Sequence, residues 1–150
     1  MIGHIKYPEE RKGQKYDINQ EIDFRIEAPS NHYVIQVNVS EFDIESEKRC
    51  SYDYVEIFDG GDADDESQLL SPGRGSRFCS FRNKELEDFV SRRSSVLIRF
   101  YSDEYDEGDG TGFVLRYKML EREPGMVLCW LESCLKIYRN KIRKRHFFLE

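Results

Sequence analysis

Residues 50–60 read CSYDYVEIFDG, and the fold is decided by how the middle of this run alternates. Val55 and Ile57 fall on one side of an extended chain and Glu56 on the other, the period of a strand with one buried face. Asp59-Gly60-Gly61 stops the run as a turn. Asp53 stands at the start of the strand, and the sequence alone leaves it two roles: a solvated strand residue or a ligand for something held there.

The same alternation recurs on both sides of this run. In EIDFRIEAP, Ile22, Phe24 and Ile26 share a face opposite Asp23, Arg25 and Glu27, and Pro29 closes the segment. Ile35, Val37 and Val39 repeat the pattern, as do Val96, Ile98 and Phe100, and then Phe113, Leu115 and Tyr117. Turn clusters separate these runs at Pro29-Ser30-Asn31, Asp59-Gly60-Gly61, Ser71-Pro72-Gly73 and Gly108 to Gly112. Residues 83–91 suit one helical turn or a short strand equally well. Many short strands, polar loops and no long alternating helices predict an all-β fold, an antiparallel two-sheet sandwich.

Charge divides the chain of 150 residues into two unlike parts. Residues 1–121 carry 26 acidic and 16 basic side chains, net −10, and residues 122–150 carry 3 and 7, net +4. We therefore expect one domain over 1–121 and a separate extension over 122–150, with Pro124-Gly125 near the boundary. An acidic body lacks the basic footprint of a nucleic-acid groove and favours cationic partners or hard metal ions. No apolar run is long enough to span a membrane. MIGHIKYPEERKGQKYD has no apolar core of the length a secretory signal needs, so the expectation is either a cytosolic protein or a piece of a longer chain.

In the extension, Leu128, Leu131, Leu135, Tyr138 and Ile142 follow helical steps, and Lys136, Arg139, Lys141, Arg143, Lys144 and Arg145 crowd the last turns. One reading is a basic amphipathic helix associating weakly with a membrane or polyanionic surface. The other, which we favour, is a marginal helix or disordered extension, because a short charged helix without a docking partner is barely stable in water. Cys129 and Cys134 do not have zinc-ligand spacing, and their pairing is open.

Residues 3 to about 119 resemble a CUB domain, the extracellular β-sandwich module of complement proteases, tolloid-like proteases, cubilin, neuropilins and spermadhesins. The resemblance is carried by GHIKYPEERKGQKYDINQEIDFRIEAP, with Tyr7-Pro8, Tyr16, Asn19 and Ala28-Pro29, then by FDIESEKRCSYDYVEIFDG, and finally by FCS, FYSD and GFVLRY. It implies a jelly-roll-like sandwich. It also implies a disulfide between Cys50 and Cys79 where the residues alone leave two buried thiols as an alternative, and closing such a loop is worth roughly 3.5 kcal/mol. The family's first disulfide is absent, since Ile22 stands where its second cysteine would be.

The resemblance is to the calcium-binding class of the family, and it implies a ligand set. Glu45 lies five before Cys50, Asp53 three after it, and Asp103 follows Ser102, as in that class. The Tyr105 carbonyl and the Asp106 carboxylate would complete the shell, and Tyr16 would support Glu45. Calcium suits such a set because it takes six to eight oxygens. Independently of the family, carboxylates brought to one end of a sandwich repel one another until a divalent cation offsets the repulsion. Asp43, Asp59, Asp62, Asp64, Asp65 and Glu66 are expected to be solvated loop charges.

In that class Glu45 and Asp103, supported by Tyr16, would capture a lysine or arginine of a protein partner by charge-assisted bonds. The expected function is thus an extracellular, secreted, calcium-dependent interaction module. The alternative is a calcium-independent CUB domain, spermadhesin-like, that binds carbohydrate or lipid or is structural. No enzyme is expected: His4, His32 and His146 are scattered, and neither HExxH nor Gly-x-Ser-x-Gly occurs. Asn38-Val39-Ser40 is an N-glycosylation sequon, with Asn38 off the apolar face.

Overall fold

A computed structural model describes residues 1–9, 15–62, 64–70, 77–80, 86–105 and 110–122. The expected helix over 128–142, Asp106, Cys129, Cys134 and the turns at 71–73 and 108–109 lie outside these residues. The strands are β1 (Ile2–Tyr7), β2 (Gln20–Glu27), β3 (Tyr33–Asp43), β4 (Tyr54–Phe58), β5 (Arg77–Phe78), β6 (Phe89–Val90), β7 (Ser95–Ser102) and β8 (Gly112–Glu121). They form two four-stranded antiparallel sheets, ordered β1-β8-β3-β6 and β2-β7-β4-β5. The two-sheet sandwich expected from the alternation is the fold observed.

Register explains the core. Ile22 pairs with Phe100, Phe24 with Ile98 and Ile26 with Val96, while Val55 and Ile57 lie across from Phe100 and Ile98. In the other sheet Ile35, Val37 and Val39 pair with Met119, Tyr117 and Leu115. Paired residues of neighbouring strands point to one side, so both inner faces are apolar and close on each other. Ile35, Val37, Val55, Ile57, Val96, Ile98, Phe100 and Leu115 are fully buried there. An aromatic layer of Tyr7, Tyr16, Phe24, Phe100 and Phe113, with ring centroids 4.7 to 6.2 Å apart, fills the same end as the 44–53 and 102–105 loops. Ile22 packs against this core, as a residue replacing a bridge must.

Residues 83–91 resolve, where described, into the short strand β6 beside β3, with Ser91 Oγ accepting the Ile35 amide at 2.7 Å. One expectation is corrected. Asp59 is not a solvated loop charge: it is buried, accepts the Arg92 amide at 2.9 Å, and pairs with Arg92 Nε at 2.6 Å. Asp43 is exposed but engaged, accepting Thr111 N–H at 3.0 Å and Thr111 O–H at 2.6 Å.

Candidate functional site

The chain reaches the site end of the sandwich at four places: before β2, after β3, before β4 and after β7. Tyr16 joins three of them. Its hydroxyl donates to Asp53 Oδ2 at 2.6 Å and accepts the Glu45 amide at 3.0 Å. Burial, and next the bond to the Asp53 carboxylate, push the Tyr16 phenol far above its usual range, so it stays a protonated donor. Gly110 makes room for its ring, since a Cβ there would lie 2.6 Å from Tyr16 Cε1.

Asp53 links the remaining segment. Its Oδ1 accepts the Asp103 amide at 2.9 Å, and the Asp103 carbonyl accepts Asn19 N–H at 2.6 Å. Asn19 adopts φ 54°, a left-handed conformation that asparagine tolerates better than most residues. Ser102 adds two bonds, accepting the Gln20 amide at 3.0 Å and donating to the Asp17 carbonyl at 2.9 Å. Asp103 is thereby fixed through its backbone, leaving its side chain to face outward and accept the Tyr105 amide at 2.9 Å.

Cys50 and Cys79 are bonded, with Cα atoms 5.5 Å apart, and this ties the 44–53 loop to the residues that directly follow β5. Ile44 and Ser80 hold each other on the same side, the Ile44 amide reaching Ser80 Oγ at 2.9 Å and the Ser80 amide the Ile44 carbonyl at 3.1 Å. Within the loop, Glu47 accepts the amides of Arg49 at 2.9 Å and Ser51 at 3.1 Å. These two amides hold the Glu47 carboxyl below its usual range, Ser51 contributing most.

Glu45, Tyr52, Asp103 and Tyr105 line a hollow of about 210 Å³ at this end. Asp53 lies inward of it, 5% exposed, with both oxygens hydrogen-bonded. Burial chiefly raises the Asp53 carboxyl above its usual range, the Tyr16 and Asp103 hydrogen bonds lower it, and the Asp103 charge raises it further. No cationic side chain among the described residues contacts it. Of the residues expected here, Glu45, Asp103 and Tyr105 share the hollow, Asp53 and Tyr16 support it, and Asp106 falls outside the described residues. Sequence reasoning missed Tyr52 as a wall and treated Ser102 only as a motif neighbour. Tyr52 gave a faint signal, an aromatic one residue before the aspartate in a loop.

The donors are all hard oxygens, the chemistry a calcium ion takes. They are not gathered into a closed shell: among the described residues no three histidine, cysteine, aspartate or glutamate side chains stand close enough to hold a metal. Asn38 lies elsewhere, half-buried on β3, with its amide donating to Asp88 Oδ2 at 2.7 Å.

A model of the CUB domain matches residues 2–117, and the chain belongs to the CUB-domain family. Similar proteins include zinc metalloproteinase nas-39 of Caenorhabditis elegans, 32% identical over 80% of this chain and 12% of its own. Neuropilin-1 of Xenopus laevis is 34% identical over 73% of this chain and 11% of its own. The chain thus spans about a tenth of these relatives, and it matches the protease through the CUB portion. Among solved structures, the human CUB1-EGF-CUB2 region of MASP-1/3 is 26% identical with a TM-score of 0.65, over 83% of this chain and 43% of that one. The MASP-1 CUB2 domain bound to Ca2+ is 26% identical with a TM-score of 0.57, over 78% of this chain and 91% of that one.

Proposed function

We propose that this CUB domain is an extracellular, non-catalytic module whose Glu45 and Asp103 take a lysine or arginine side chain of a protein partner, in a calcium-dependent manner. Asp53 carries this reading: it is a buried carboxylate with two hydrogen bonds and no counter-cation among the described residues. Such a charge is costly to bury alone and cheaper beside a cation. Glu45, Asp53, Asp103, the Tyr105 carbonyl and Asp106 would hold the ion, which when bound supplies the positive charge that lets these carboxylates stand together. The calcium-bound MASP-1 domain of the same fold supports the choice of ion.

Glu45 and Asp103 line an open hollow, so they can turn oxygens outward to an ammonium or guanidinium. Tyr52 and Tyr105 line the same hollow, and an aromatic ring turned towards a bound cation would add a favourable contact. A single contact of this kind is weak, and useful affinity needs several domains acting together.

Calorimetry with calcium against chelator tests the reading. At calcium about a hundredfold above its dissociation constant, stability should rise by about 2.7 kcal/mol. Asp53→Ala should abolish that rise, and an unchanged melting temperature in the wild type overturns the proposal. Two observations favour the calcium independence of the alternative, a domain for carbohydrate or lipid: both Asp53 oxygens are already bonded, and no three ligating side chains are gathered among the described residues. On that reading binding survives both chelator and Asp103→Ala.

A further inference from the structure

The two outer faces of the sandwich carry charge in opposite ways. On β2-β7-β4-β5, each outward arginine meets an acid: Arg99 pairs with Asp23 at 2.8 Å and lies 3.6 Å from Glu21, Arg77 pairs with Glu56 at 3.3 Å, and Arg25 with Glu27 at 3.6 Å. On the other sheet, register puts His4 beside Arg116 and Ile2 beside Lys118, with Lys6 next along β1. The intervening pairs, Ile5 with Leu115 and Tyr7 with Phe113, point into the core, so His4 and the three cations Lys6, Arg116 and Lys118 point out. His4, Arg116 and Lys118 are exposed and Lys6 is half-buried. None of the four forms an ion pair with any described residue.

We propose that this strip on β1 and β8 docks a linear, highly sulfated polysaccharide. Outward neighbours lie about 7 Å apart along a strand and about 5 Å across strands, so the cations form a band two strands wide and several residues long. A band of that shape matches a line of sulfates better than a plane of headgroups. The body also bears net −10 over residues 1–121, which repels a broad anionic surface but not a thread laid along one face. The acids on this face are set to one side: Glu41 lies beyond Val114 on β3, and Asp88 is occupied by the Asn38 amide and the Val39 N–H. Exposed Ile2 closes one end of the band and gives sugar rings an apolar contact.

The test uses a short dextran sulfate, followed by fluorescence anisotropy across a salt series with chelator present. Wild type should bind, with log affinity falling against log salt at a slope of about −3. Arg116→Gln with Lys118→Gln should weaken binding about thirtyfold and reduce that slope by about two. Both residues are exposed, and an unchanged melting curve shows the variant is folded. Arg25→Gln with Arg77→Gln removes the same charge from the opposite face and should change affinity by less than about threefold. Equal loss in both double variants, no binding by wild type at low salt, or equally tight binding to phosphatidylserine vesicles through Arg116 and Lys118 each overturns the proposal.

Discussion

β4 is bracketed by two buried aspartates with opposite surroundings. Asp59, after the strand, meets the Arg92 side chain and amide, so its charge is settled within the fold. Asp53, before it, meets a tyrosine hydroxyl and a backbone amide and no cation among the described residues. Five residues separate the two ends of one strand, yet one end is electrostatically closed and the other is left one positive charge short. That difference is the observation on which the proposed calcium site rests.

The covalent bridge belongs only to the Asp53 end, and breaking it should produce the largest change. Cys50→Ser with Cys79→Ser should cost about 3.5 kcal/mol in urea unfolding. A loss below about 1 kcal/mol would show that the hydrogen bonds around Tyr16 suffice to hold that end. Removing the arginine at the other end comes next. Arg92→Ala leaves Asp59 buried without its partner and should cost about 3 kcal/mol, whereas Asp53→Asn in calcium-free buffer should cost much less. Equal losses would erase the contrast between the two ends.

Tyr16→Phe probes the Asp53 end more gently. It removes the donor to Asp53 and the acceptor of the Glu45 amide together, and should cost about 2 kcal/mol while lowering calcium affinity. If affinity stays unchanged, Tyr16 does not position the carboxylates. The smallest effect is in pH dependence, where two aspartates act in opposite directions. The bond to Arg99 holds Asp23 below its usual range, so its contribution is present above the unfolded value and is lost as pH falls through the lowered one. Asp53 is raised, so its contribution is present below the unfolded value and is lost as pH rises through the raised one. Calcium-free melting curves across the acid range should therefore flatten in opposite senses for Asp23→Asn and Asp53→Asn.

Strands β2, β3, β4, β7 and β8 were legible because each buries one face, and alternation records that directly. β1 was not read as a strand from its pattern: Gly3 interrupts it, and Ile2 faces out while Ile5 faces in, so its apolar residues are out of phase. β5 and β6 have two residues each, too few for any period to show. The convergence of Glu45, Asp53 and Asp103 on one end was expected through the family resemblance. Asp59 was misread for a different reason: its partner is 33 residues away, and a turn aspartate looks the same whether or not an arginine returns to it. Tyr52 belonged to the opening run all along, but only the fold shows its ring beside the hollow.

The first and last described segments leave the sandwich side by side. Met119 donates its amide to the Met1 carbonyl, and Arg122 bonds the His32 and Arg92 carbonyls, which places Met1 and Arg122 at the end of the sandwich where Arg92 meets Asp59. In a string of modules, any linker attached at either end would therefore emerge on that side, and the hollow would point away from the string like a fruit from its stalk.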